Sequence, residues 1–397
     1  MYFSVPFYLR IFYSHILDMS GAVKLAVTGV QDQWLTGDPD FSYFLTTFKR
    51  HTKFALEQIE TPFDGDVGYG EELRCRIPQN KGDLVKSVTV KFSLSAPEDG
   101  DGNKLNFKPS FCTDLIDTAD LYIGGQLIER LTGEYIYMHQ QLHNTIDDIE
   151  QTLYFLNGHG SKIFDFTGEQ TFFIDLPFYF NRATSLSIPT SALLKQQMEV
   201  VINLKNLTDI INGPIPSSGV QGKILNISLD TEFVFISDDE RFYLQSMPLQ
   251  YLISQVQLSQ VTFNPGETQK TFMINFKHPV KELLFLAKKG KEFYKIENVK
   301  LDFNDMNVME CDHLFMTYEQ PLLYHINCPE DGSPFGVYSF AQNPESHYPS
   351  GHVNMSRIIH KRMTVDIDPT DDKVVLKIFA VNFNILHIES GLGGLKF

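Results

Sequence analysis

Lys373-Val-Val-Leu-Lys-Ile-Phe-Ala-Val-Asn-Phe-Asn-Ile-Leu386 is the stretch whose reading decides the fold. Built as an extended strand, it is apolar on nearly both faces, so neither face suits water. β-branched and aromatic side chains favour a pleated surface. A strand of this kind belongs in the middle of a sheet, held between two layers. Working outward, other strands show the half-buried pattern instead. Leu73, Cys75 and Ile77 alternate with Arg74 and Arg76, and Val88, Val90, Phe92 and Leu94 alternate with polar partners. Phe272, Ile274 and Phe276 do the same across Thr271–Phe276. Alternation at period two places each set on one face.

Turn dipeptides separate these runs: Asp64-Gly65, Asp99-Gly100, Asp101-Gly102, Gly124-Gly125, Asn264-Pro265-Gly266 and Asp331-Gly332. Helical signals are few. Tyr135–Ile149 reads as one helix, and Ser237-Asp-Asp-Glu240 as a cap opening a short second one. Many short strands with rare helices indicate an all-β chain of sandwiches or barrels. The pattern also repeats. Strands at Phe54–Phe63 and Glu71–Ile77, then Leu84 onward, are echoed by Tyr251–Phe263, Thr271–Phe276 and Pro279 onward. Two β domains in tandem follow, joined near the short helix at 238–248.

The chain has 397 residues, enough for two sizeable cores. Its 51 aromatic rings reinforce the β reading, and its net charge of −16 repels phosphate backbones, which argues against nucleic-acid binding. Lys49-Arg50-His51, beside Phe41, Tyr43, Phe44 and Phe48, is the one basic-aromatic patch. It reads as an internal anchor or a contact with an acidic neighbouring subunit. The four cysteines, Cys75, Cys112, Cys311 and Cys328, are isolated, as reduced structural thiols of an intracellularly folded protein would be. Residues 1–18 are apolar but carry Pro6, Arg10 and His15, which fits neither a signal peptide nor a membrane span of about 20 residues. They read either as an extension upstream of a start at Met19 or as an apolar arm.

Signatures of catalysis are missing: no phosphate-binding glycine loop, no nucleophile elbow and no metalloprotease helix. His139-Gln-Gln-Leu-His143 sets two imidazoles one helical turn apart, but a zinc site needs three or four ligands. The pair is therefore read as solvent-facing. Asp366, Asp368, Asp371 and Asp372 around Pro369 read as a solvated turn between strands, and the sequons at Asn206, Asn226 and Asn354 as coincidental. No catalytic, cofactor-binding or metal-binding residue is assigned, and no cofactor is expected.

Several segments, in order, resemble one family. Gln31-Asp-Gln-Trp-Leu-Thr-Gly-Asp-Pro39, running through Phe44 to Phe48-Lys-Arg-His-Thr-Lys-Phe54, resembles the N-terminal signature of the major capsid proteins of nucleocytoplasmic large DNA viruses. Asp120–Ile128, and Leu176–Arg182 with Ile188-Pro189, resemble segments of that family's first domain. Asp238–Arg241 followed by Tyr251–Gln257 resembles its domain junction. Tyr338–Pro344, Pro349–Gly351 and Asn354–Arg357 resemble its second domain, and Asn384–Leu395 its C-terminus.

The resemblance implies two tandem eight-stranded antiparallel jelly-roll sandwiches. It divides the chain into an N-terminal arm at 1–24, a first jelly roll at 25–237, a linker with a short helix at 238–249 and a second jelly roll at 250–397. Ile224–Ile236 becomes the last strand of the first. It implies a structural, non-enzymatic shell protein of the virion, assembled in the host cytoplasm. Its partners would be two further copies in a trimer, neighbouring capsomers, minor capsid and penton proteins, and an inner membrane touched through the arm. Only 96–110, 143–170 and 325–350 leave room for surface insertions, so external towers would be low. Two other readings stay open here. One is a minor capsid protein of the same lineage. The other is a two-sandwich protein that processes or binds glycans, which would need converging carboxylates in a cleft or an exposed aromatic platform.

Overall fold

The computed structural model describes residues 20–46, 48–160 and 163–397; the apolar stretch 1–18 lies outside them. The chain divides into two compact units, one ending at Thr52 and the other spanning Lys53–Phe397. In the first, Ser20–Ala26 is a short helix and Gln33–Thr36 a single helical turn.

In the second unit, eight strands build a first sandwich: β1 (Phe54–Pro62), β2 (Glu72–Arg76), β3 (Leu84–Ser95), β4 (Ile116–Ile123), β5 (Gln126–Thr132), β6 (Glu169–Asp175), β7 (Met198–Leu204) and β8 (Ile224–Ile236). One sheet runs β1-β8-β3-β6 and the other β2-β7-β4-β5, all antiparallel. Such interleaving, with every pair of sequence neighbours except β4 and β5 placed in opposite sheets, is a jelly roll. The alternating sets fill its core: Leu73, Cys75, Ile77, Val88, Val90, Phe92 and Leu94 are fully buried. Gly124 and Gly125 both take positive φ (58° and 80°), which lets two residues close the β4–β5 hairpin.

A second sandwich repeats this order. Its strands are β9 (Leu249–Phe263), β10 (Gln269–Met273), β11 (Pro279–Lys289), β12 (Ile296–Phe303), β13 (Met306–Asp312), β14 (Gly336–Ser339), β15 (Lys361–Ile367) and β16 (Val374–Glu389). The sheets run β9-β16-β11-β14 and β10-β15-β12-β13. Short strands at Glu292–Tyr294, Val353–Asn354 and Leu392–Leu395 extend the first of these to seven. Strand β10 stops at Met273, earlier than the alternation through Phe276 suggests. The chain must leave its sheet there for β11: the backbone N–H of Lys277 is taken by the Gln257 side chain, and His278 has φ of 64°. Ile274 and Phe276 nevertheless stay buried.

Strand β16 holds the run that is apolar on nearly both faces. It is bonded to β9 on one side and β11 on the other. Val374, Leu376, Ile378 and Ala380 point into the second sandwich's core, beside Leu283, Phe285 and Ala287 of β11. Phe379 and Val381, with Leu284 and Leu286, point the opposite way and join the core of the first sandwich. Between them lies helix α1 (Gly133–His143), whose Tyr135, Ile136, Tyr137, Met138 and Leu142 belong to the same cluster. One sheet thus serves two cores, and full burial of each large apolar side chain there contributes about 1.5–3 kcal/mol.

Helix α1 ends at His143 rather than running to Ile149. The Asn144 side chain donates to the Gln140 carbonyl (2.7 Å) and its own backbone is extended, which terminates the ladder. A wide helical turn, Asp148–Leu153, follows instead. Helix α2 (Asp238–Ser246) lies between β8 and β9. Its first turn carries Asp238, Asp239 and Glu240, favourable at the positive end of the helix dipole. The Ser237 hydroxyl makes no cap bond; Arg241 fastens the helix, donating to both oxygens of Asp83 (2.6 and 3.0 Å).

Phe379→Ala is expected to destabilise the protein by about 3–5 kcal/mol, as much as Phe285→Ala in the second core. Urea unfolding checks this. A loss under 1 kcal/mol at Phe379 alone means that the sheet's outer face is not a true core.

Candidate functional site

The seam between the sandwiches gathers the protein's buried polar chemistry. Helix α1 forms its wedge, opened by Thr132, whose hydroxyl accepts from the Tyr135 backbone N–H (3.3 Å). Glu134, in the first turn, faces Lys377 of β16 at 2.8 Å and lies 3.7 Å from both Lys205 and Lys288. Asp114 receives Lys108 (2.8 Å), Lys205 (3.2 Å) and Lys288 (3.4 Å). First-sandwich carboxylates therefore meet second-sandwich lysines in one network. Burial raises the proton affinity of both acids, but the lysines outweigh it. Glu134 is held at about 2, and Asp114 well below the usual carboxylate range.

These two acids line a cavity of about 560 Å³ with Tyr137 and Phe293. Acid–base catalysis by a carboxylate pair requires proton affinities pushed apart, one acid kept protonated. Here both are pushed down together, so neither is a proton donor at neutral pH. The arrangement fastens the two sandwiches to each other.

At its other end α1 is sewn to the second sandwich: Gln141 donates to the Cys328 carbonyl (3.1 Å) and Asn327 N–H to the Leu142 carbonyl (3.2 Å). The last strand closes a third point, Gly393 N–H donating to the Gln196 side chain (2.6 Å).

The histidine pair is placed differently from its reading as solvent-facing. His139 and His143 stack at 3.9 Å between ring centroids, half-buried, because α1 is covered by both sandwiches. His143 meets His325 edge-on at 5.7 Å. The side chain of His325 is wholly buried, with Nε2 3.4 Å from Glu282 and Nδ1 3.4 Å from Glu345. Burial lowers its proton affinity, but the two carboxylates override that and raise it to about 9. Burial takes His143 down to about 4 and His139 well below the ordinary value. Nothing in the sequence near residue 139 announces residues 282, 325 and 345. One signal was available, though: Lys281-Glu282 and Lys377 are charges set inside otherwise apolar runs.

The remaining motifs fall elsewhere. Asp368, Asp371 and Asp372 are exposed between β15 and β16, while Asp366 is half-buried within β15. Lys49, Arg50 and His51 are exposed, as are Phe41, Tyr43, Phe44 and Phe48. All four cysteines are free thiols, three of them buried.

Because Glu134 and Asp114 bind protons less readily folded than unfolded, their contribution is complete above the ordinary carboxylate range. It is lost as pH falls through the folded values. For Glu134 the window runs from 4.5 down to about 2 and is worth on the order of 3 kcal/mol. Urea midpoints at pH 7, 4.5, 3.5 and 2.5 are expected to fall across this window, and less steeply in Glu134→Gln. Equal slopes in the two proteins would remove Glu134 from the account.

Comparison with known proteins accords with this geometry. Residues 42–238 match a family model described as major capsid protein N-terminus, and 240–394 match that of the large eukaryotic DNA virus major capsid protein. The major capsid protein of Pyramimonas orientalis virus is 28% identical over 415 residues, covering 95% of this chain and 99% of that protein. That of Paramecium bursaria Chlorella virus 1 is 25% identical over 443 residues, with the same coverage. A quasi-atomic model of the PBCV-1 capsid shares the fold with a TM-score of 0.75, at 22% identity over 90% of this chain and all of that one. The Faustovirus major capsid protein does so at 0.71, with 11% identity over 91% and 94%. This chain belongs to the major capsid protein family of large eukaryotic DNA viruses, structural proteins of the virion shell and not enzymes.

Proposed function

We propose that three copies of the chain associate into a capsomer of pseudo-hexagonal outline, and that such capsomers tile the icosahedral shell of a large DNA virus. The observation that carries this is the repeated strand order. Each protomer holds two jelly rolls of one topology, fastened through a shared sheet. Two similar walls per protomer become six around a threefold axis, and six comparable sides tile a plane. Weak contacts suffice, since each capsomer meets many neighbours at once. The net charge of −16 keeps free subunits apart in solution and gives no grip on a genome.

The same reading divides the chain at 238–249, around α2, and treats residues 1–24 as an arm, which residues 25–52 follow in the same compact unit. Trp34, Tyr43, Phe44 and Phe48 are each more than four-fifths exposed there, a costly display for an isolated chain. They serve as contacts to an adjacent subunit, a penton or minor capsid protein, or the inner membrane, after assembly in the host cytoplasm.

Light scattering coupled to size-exclusion chromatography, with negative-stain imaging, tests this. The expected species is a trimer with a six-sided outline; a strict monomer at high concentration overturns the proposal. Trp34→Ala with Phe44→Ala is expected to shift the trimer towards monomer while leaving the unfolding midpoint of the monomer unchanged.

A further inference from the structure

We propose that His143, His325 and Glu345 form a divalent metal site, of the zinc class, that clips the first sandwich to the second. One donor atom from each lies within 4.8 Å of the others. His143 closes helix α1 of the first sandwich, whereas His325 and Glu345 sit on connections of the second. Zinc bonds of about 2.0–2.2 Å at tetrahedral angles set donors roughly 3.3–3.5 Å apart. The 3.4 Å between His325 Nδ1 and a Glu345 oxygen has that spacing, and a side-chain adjustment at His143 closes the set.

Two further features are those of a built site. Metal-binding histidines hand their second ring nitrogen to a carboxylate or a backbone carbonyl, which fixes tautomer and orientation. His143 Nδ1 lies 3.0 Å from the His139 carbonyl, leaving Nε2 for an ion. His325 Nε2 lies 3.4 Å from Glu282, leaving Nδ1 for the same ion. The His325 Nδ1 left for the ion is buried and has no partner in hydrogen-bond geometry. Leaving a buried acceptor unpaired is costly, and an ion bound at Nδ1 satisfies it.

Charge permits it. Lys281 and Arg182 are cationic neighbours: the Lys281 ammonium donates to the Pro344 carbonyl and lies 3.8 Å from Glu282, and Arg182 donates to the Pro177 carbonyl and the Tyr135 hydroxyl and lies 3.7 Å from Glu129. Glu345 as a ligand and Glu282 behind His325 place two carboxylates beside the ion, and the proton displaced from His325 leaves to solvent. A cavity of about 300 Å³, lined by His139, His143 and Arg182, gives a way in. A water would complete the fourth position.

The test uses the full chain stripped with EDTA. Titration with Zn²⁺ against a chromophoric chelator is expected to show one equivalent bound at micromolar affinity or tighter, with a rise in unfolding midpoint that EDTA reverses. Co²⁺ in its place is expected to give the intense visible bands of tetrahedral nitrogen–oxygen coordination. His143→Gln and Glu345→Gln are each expected to weaken binding about tenfold or more. Circular dichroism checks that each variant folds. No stoichiometric binding and no tetrahedral Co²⁺ spectrum in the unmodified chain overturns the proposal, as does binding that survives both substitutions together. Neither result touches the trimer, so failure here and failure of the capsomer reading are distinguishable.

Discussion

The structure depends on one sheet being wanted twice. In an ordinary sandwich a strand buries one face and shows the other to water. The sheet built on β9, β16 and β11 buries both, because its outer face is the floor on which α1 and the first sandwich rest. The core of the first sandwich is incomplete without Leu284, Leu286, Phe379 and Val381 of the second. The orientation of the two jelly rolls is therefore set by packing rather than by a linker, and a rigid pair is what a tiling protein needs. A flexible pair of domains would present walls at variable angles, and the entropy of fixing them would oppose every lattice contact.

Across this apolar floor runs a polar seam, and its energetics differ. Buried ion pairs recover little more than their desolvation cost, so Asp114, Glu134 and their lysines add modestly to net stability. Their effect is on the alternatives: sliding one sandwich along the other strands a carboxylate or an ammonium away from water, which costs several kcal/mol. Apolar packing holds the halves together, and the charges choose the register.

How legible this was follows from what sequence patterns encode. Period-two alternation exposed β2 and β3 because one face of each is wet, and the two-faced run at 373–386 exposed β16 because neither is. The duplication was visible as a spacing of strands and turns. Helix α1 was readable, but its end was not, since Asn144 stops it through a side-chain bond to Gln140 that ordinary propensity does not capture. The seam was the least legible part. Asp114, Glu134, Lys288 and Lys377 come from four separate elements, and His143 meets residues 282, 325 and 345 only through the fold. A solvent-facing reading of His139 and His143 was reasonable for an isolated helix. It fails because α1 has no solvent face to offer.

The position of β16 also sets the timing of synthesis. Helix α1 and the last strand of the first sandwich are made by residue 236, yet the second-sandwich residues that join their cluster begin at Ile253 and Leu284 and are not complete until Phe379 and Val381. At about 5–20 residues per second the ribosome needs roughly 7 to 30 s for that interval. Throughout it, a nascent first half carries an uncovered apolar face among many identical neighbours on the same message. A protein required in great abundance thus leaves its stickiest surface for last, and host chaperones working on that timescale become part of how efficiently a shell can be made.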